Sequence, residues 1–218
     1  TAYVTGFQSA AFSDAFDWAN MLTSYSAYAS YPSNQEYAVA ELMYDVAVAC
    51  KMDFGSFSNN GGSSASMMDL WTALHTHFYF ELGSYSLRAT NAATFDEKLR
   101  QEIFAGRQVP CSMTNNTTGA GHGVVMDGLS SDAGTNFFHV NYGWGGQNDG
   151  WYQPSDINTG TVMNAVFGAQ PHFMPLLPAF AGTNLTGVIT NQWAFPQRRL
   201  GQVARYRLRE GSWASTNY

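Results

Sequence analysis

Between Glu36 and Cys50, apolar residues fall at Val39, Leu42, Met43, Val46 and Cys50, steps of three or four that trace one stripe along a helix. The spacing predicts a helix packed on a core through that stripe. A loop rich in Gly, Ser and Asn, from Gly55 to Ser64, leads to a second periodic stretch whose Met67, Leu70, Trp71, Leu74 and Phe78 predict a buried helix. A third helix is expected from Thr94, with Glu97 three residues on as the second half of a capping box, each side chain satisfying a free backbone donor of the other. Its Leu99, Ile103 and Phe104 are expected to face inward, and Gly106 to end it as a left-handed cap.

From Val109 onward the period shortens. Strands are predicted at Val109 to Thr114, Gly123 to Asp127, Phe137 to Tyr142, Gly150 to Pro154 and Ala165 to Gln170, separated by turns of Gly, Asn and Asp. Helices first and a meander of strands afterwards give an α+β domain with an antiparallel sheet, not alternating βαβ units.

Composition narrows the function. The 218 residues are 45% hydrophobic, enough for a sizeable core, and only 12% are charged. No apolar run reaches the 18 or more residues of a membrane span. The net charge of −6 argues against nucleic acid as a partner, because a polyanion needs a clustered basic surface. The charge is divided along the chain: five Lys and Arg face fifteen Asp and Glu up to Pro175, whereas from Leu176 five Arg face Glu210 alone. This step lies beside the Pro-bearing MPLLPAFAG at 174–182 and predicts a boundary there. The larger domain is then 1–175. The stretch 176–218 reads as a linker and the opening strands, NQWAFP and ARYRLREGSW, of a β-sandwich-like module similar to immunoglobulin or fibronectin domains. The chain starts at Thr1 without a Met or a signal peptide and stops at Tyr218 just after a strand pattern, so a fragment is expected.

Two cysteines, Cys50 and Cys111, are too few for a disulfide framework, though one bridge between them stays open. The sequence has no HExxH, no EF-hand loop, and no glycine loop placed for a dinucleotide or a phosphate, so neither a metal nor a cofactor is expected. Chemistry is sought instead near GHGVVMDG and FFHVNYGWGGQNDGWY. His122, between Gly121 and Gly123 at the start of an apolar strand, can project from the sheet end, accessible on one side and held on the other, as a general base must be. Taken alone, a His in such a glycine-rich turn is more often a plain turn residue. Asn141 lies on a strand able to pair with that of His122, and its amide oxygen suits an imidazole N–H. Trp144, between Gly143 and Gly145, can roof such a bond or simply lid the core. His75 and His77 diverge on a helix, and His139 shares a strand face with Asn141 and is expected to be hydrogen-bonded.

Four ordered motifs, KMDFG at 51–55, GHGVVMDG, the HVNxGWGGxxDG run at 139–150, and AVFGAQP at 165–171, resemble the streptopain family of bacterial papain-like cysteine peptidases. The resemblance spans roughly Phe16 to Pro175. It implies a papain-like fold, a secreted or cell-surface hydrolase acting on proteins or peptides, a propeptide or inhibitor as a further partner, and nucleophilic attack by a Cys–His pair. By position it implies His122 as the catalytic histidine, with Asn141 and Trp144 matching the family's Asn and second Trp. Tyr142 stands where the family commonly has its first Trp, as part of the active-site wall. The family's reactive Cys precedes everything matched here, and no cysteine precedes Cys50. Cys50 falls at a helix C-terminus, where the macrodipole disfavours a thiolate, and Cys111 lies in the strand before His122. The nucleophile is therefore expected outside this chain, leaving the fragment itself inactive. A non-catalytic glycan- or protein-binding relative on the same fold, and a papain-like amidase or acyl transferase, are the alternatives.

Overall fold

The computed structural model describes residues 7–26, 28–55, 62–115, 117–155, 157, 161–169 and 201–207. The chain divides into two compact units, Thr1–Glu81 with Pro171–Tyr218, and Leu82–Gln170.

In the first unit, β1 (Phe7–Ala11) pairs antiparallel with β8 (Val203–Arg207), from Phe7 opposite Arg207 to Ala11 opposite Val203. This ribbon accompanies helices α1 (Ser33–Ala49) and α2 (Met67–His77). Phe12, Phe16, Val48, Ala73 and Phe78 are all buried in its core, and the rings of Phe16 and Phe78 stack at 6.3 Å. The N-terminus of α2 is capped by Ser66, whose hydroxyl oxygen accepts the Asp69 N–H at 3.0 Å.

The buried line of α1 departs in part from its sequence pattern. The buried residues are Ala38, Asp45, Val48 and Ala49, so the inward face is rotated toward the alanines, while Met43 is 68% exposed. Small side chains let the helix lie closer to its neighbours along that line than the larger Val39 and Met43 would. Part of the tail expected as a separate β-module, 203–207, is the strand β8 that completes the β1 ribbon. The NQWAFP stretch lies outside the described residues.

The second unit holds the six-stranded sheet. Its strands are β2 (Ser84–Leu87), β3 (Val109–Asn115), β4 (Gly121–Asp132), β5 (Thr135–Asn141), β6 (Gly150–Tyr152) and β7 (Thr161–Phe167), in the order β2-β7-β3-β4-β5-β6. Strands β3 to β6 form the expected meander; β7 then returns across it to pair with β3 on one side and β2 on the other, all antiparallel. Val109, Cys111 and Met113 of β3, Val124 and Met126 of β4, Phe138 and Val140 of β5, and Met163 and Ala165 of β7 alternate inward to one core. Helix α3 (Ala92–Phe104) lays Phe95 and Leu99 into it, with Ile103 partly buried.

The start of α3 corrects the capping-box expectation. Asn91 is the N-cap, its amide oxygen accepting the Thr94 N–H at 3.0 Å, because the helix begins one turn earlier than the Thr94 pattern implies. Glu97 instead binds Arg100 and Gln101 on the outer face, and Arg100, then Gln101, hold its carboxyl down to about 2. Phe104, expected inward, is 81% exposed; five residues beyond Leu99 it stands about 140° around the helix from the buried line. Gly106 closes the helix in the left-handed region (φ +75°), its N–H on the Ile103 carbonyl at 2.9 Å.

One irregularity in the sheet shapes the face beside the candidate site. The β4–β5 register shifts between Met126 and Gly128, leaving Asp127 as the extra residue of a bulge. Asp127 turns to His139, which lies 2.6 Å away through Nδ1, and Trp151 meets the His139 ring edge-on at 5.3 Å. Gly128 lies beneath both: a Cβ there would come 2.8 Å from the His139 Cβ and 3.0 Å from the Trp151 ring.

Gly128→Ala is therefore expected to destabilise the protein by about 1–3 kcal/mol through overpacking. Leu99→Ala, emptying a fully buried site, is expected to cost about 2–5 kcal/mol. Urea unfolding followed by circular dichroism reads both as a lowered midpoint at unchanged slope.

Candidate active site

His122 is the second residue of β4, opposite Met113 of β3, on the inward face that continues through Val124 and Met126. The core row ends at this position, so the imidazole lies half-buried at its rim. Its Nε2 is 2.9 Å from the main-chain carbonyl oxygen of Tyr142. A carbonyl oxygen only accepts, so Nε2 carries the proton and donates it. In the neutral ring, Nδ1 is then the basic nitrogen.

Two aromatic rings hold the imidazole. Trp144 lies over it at 4.4 Å between centroids, and Tyr142 runs nearly parallel to it, offset at 6.0 Å with planes 12° apart. Tyr142 and Trp144 also touch each other at 5.3 Å, and Tyr152 meets Tyr142 edge-on at 6.2 Å. Trp144 remains 48% exposed, so one face covers His122 while the other is open to a ligand. Burial, and then the neighbouring Tyr152, push the Tyr142 phenol upward, keeping it neutral.

The sequence-derived residues are thus gathered in one place, with one difference in how they connect. Asn141 ends β5 opposite Val125, and its amide oxygen accepts the Gly143 N–H at 2.8 Å. The acceptor for His122 is the Tyr142 carbonyl. Asn141 and His122 therefore grip opposite ends of a single peptide group, the one joining Tyr142 to Gly143. A backbone acceptor leaves no side-chain signature, which is why the sequence pointed to the amide instead.

Further residues enter through the same loop. Asp149, unassigned in the sequence reading although it is the Asp of the HVNxGWGGxxDG run, accepts the Tyr142 N–H at 2.8 Å. The Tyr152 hydroxyl donates to the Asn148 carbonyl at 2.7 Å and secures the far end of the loop. Gly143 and Gly146 adopt left-handed backbone (φ +74° and +91°), which lets the chain double back within this span.

Neither cysteine has the surroundings of a reactive thiol. Both are free and buried, so the bridge left open by the sequence is not formed. Cys50, in the first unit, has its thiol pushed up to about 12 by burial and then by Asp69. Cys111 is fully buried in the core of the second unit, and burial raises its thiol still further. A desolvated thiol with no cationic partner is the reverse of an activated nucleophile. Among the described residues no group of three or more His, Cys, Asp or Glu is placed to hold a metal ion, and no helix is long and apolar enough to cross a membrane.

Comparison with known proteins places these features. Residues 3–152 match the model of the peptidase C10 family. Streptopain of Streptococcus pyogenes is 29% identical over 168 residues, covering 75% of this chain and 40% of streptopain. The thiol protease/hemagglutinin PrtT of Porphyromonas gingivalis is 28% identical over 159 residues, 71% of this chain and 17% of that protein. Among solved structures, the active wild-type interpain A cysteine protease of Prevotella intermedia superposes with a TM-score of 0.58 at 31% identity, over 70% of this chain and 63% of that one. The helices and antiparallel sheet are accordingly those of a papain-like cysteine protease fold. The chain spans less than half the length of the curated relatives it matches. With two thirds of its residues under one family model and cysteine proteases among its relatives, the chain belongs to the peptidase C10 family.

Proposed function

We propose that these residues form the histidine side of a Cys–His site that hydrolyses peptide bonds in proteins, in a bacterial, secreted peptidase. The observation that carries this reading is the contact of His122 Nε2 with the Tyr142 carbonyl oxygen at 2.9 Å. Its Nε2–H is committed to the Tyr142 carbonyl, so Nδ1 is the nitrogen able to take a proton, under a tryptophan that limits competing water.

The chemistry is acyl transfer. A thiol gives its proton to Nδ1 and its sulfur bonds to the substrate carbonyl carbon. The imidazolium returns that proton to the leaving amine as the C–N bond breaks. Water, deprotonated by the same nitrogen, then cleaves the thioester, releasing the acid and restoring the thiol. The Nε2–H bond to Tyr142 strengthens whenever the ring is positively charged, because a charged donor binds a carbonyl more tightly than a neutral one. Tyr142 and Trp144 serve as the apolar wall, and Asn141 fixes the peptide that receives Nε2–H. The thiol is assigned outside these 218 residues, since burial keeps both Cys50 and Cys111 protonated.

The 218-residue chain is expected to cleave no casein. The full-length gene product is expected to cleave it, to be blocked by iodoacetamide, and to lose about a thousandfold or more in kcat/KM on His122→Ala. Thiol-sensitive cleavage by the 218 residues alone would contradict the assignment of the nucleophile. In the native chain, Cys50 and Cys111 are expected to alkylate at least ~10-fold more slowly than in denaturant at the same pH, read by mass spectrometry.

A further inference from the structure

Tyr142 is held by its backbone at two points. Its carbonyl receives His122 Nε2–H, and its N–H, on the preceding peptide, donates to Asp149 Oδ1 at 2.8 Å. Asp149 is half-buried at the end of the glycine-rich loop, and its own N–H reaches back to the Gly146 carbonyl at 3.4 Å. Gly143, next in line, is free of steric restraint: no atom lies within 4 Å of where its Cβ would be. Asn141 holds the Gly143 N–H of the peptide that carries the Tyr142 carbonyl, and the orientation of that carbonyl depends further on what anchors the preceding peptide. Asp149 supplies that anchor through a side-chain oxygen that accepts the Tyr142 N–H.

We propose that Asp149 is a positioning residue for His122, acting through the Tyr142 backbone: it aims the carbonyl that keeps the proton on Nε2 and leaves Nδ1 free. This rests on the peptidase reading for its consequence, but not for its geometry. Asp149 touches neither substrate nor imidazole. Its effect is on how tightly Nε2–H is held.

The test is the solvent exchange rate of the His122 Nε2 proton, measured by nitrogen-15 NMR on the 218-residue chain at alkaline pH, where imidazole is neutral. Asp149→Ala is expected to speed exchange about tenfold, equivalent to 1.4 kcal/mol of lost restraint. Asp149→Asn keeps an oxygen acceptor and is expected to stay near the parent. Tyr152→Phe, which loosens the same loop by removing the bond to Asn148 without touching the Tyr142 backbone, is also expected to stay near the parent. Should the alanine variant not fold, Asp149→Glu displaces the carboxylate by one methylene and is expected to speed exchange likewise. Unchanged exchange in Asp149→Ala, fast exchange in Asp149→Asn, or equal acceleration by Tyr152→Phe would each overturn the proposal, the last by reducing Asp149 to a general loop brace. In the full-length protein the same Asp149→Ala change is expected to lower kcat with KM held. The exchange readout needs no nucleophile, so a failure of the peptidase reading appears only as absent thiol-dependent cleavage, and a failure of this proposal only in the exchange rate.

Discussion

The hydrogen bond from His122 Nε2 to the Tyr142 carbonyl is the constraint on which the candidate site depends. A neutral imidazole has one proton to place. Committing it to a main-chain oxygen decides which nitrogen is the base and fixes the ring plane. Trp144 and Tyr142, which also touch each other, then pack against the ring, so that its direction is set by packing and its tautomer by one bond.

The sheet makes that bond available. His122 and Tyr142 are twenty residues apart, and adjacent strands bring them together: β4 carries the histidine at its start while β5 delivers Asn141 and Tyr142 at its end. Antiparallel pairing places the start of one strand beside the end of the next. The bulge at Asp127 and the close packing of His139 and Trp151 over Gly128 lie along the same strand pair, which ties β6 to β5 below the loop. Local twist at a bulge adjusts how side chains are aimed near a strand end.

Much of this was legible in the residues. Alternation along Val109 to Thr114 and Phe137 to Tyr142 located strands whose buried rows the structure contains, and Gly106 ended its helix as its position implied. What the sequence concealed has physical reasons. Strands β1 and β2, FQSAA and SYSL, are short and only half apolar, so no period stands out. The return of β7 between β2 and β3 is a long-range choice that local pattern does not carry. Spacing places Met43 on an apolar stripe and hydrophobicity places Phe104 inward, whereas helix geometry and the small alanines of α1 decide which line is buried. At the site, His122, Tyr142 and Trp144 were visible as side chains, but the acceptor is backbone, and Asp149 acts on backbone, so neither role follows from residue type.

In the proposed mechanism His122 is a base through Nδ1 because Nε2–H is spent on Tyr142. The most direct measurement is the scalar coupling transmitted across that hydrogen bond, between His122 Nε2 and the Tyr142 carbonyl carbon, in doubly labelled protein. A resolved coupling with the proton on Nε2 is the result the account predicts. Absence of the coupling together with a proton on Nδ1 would contradict it.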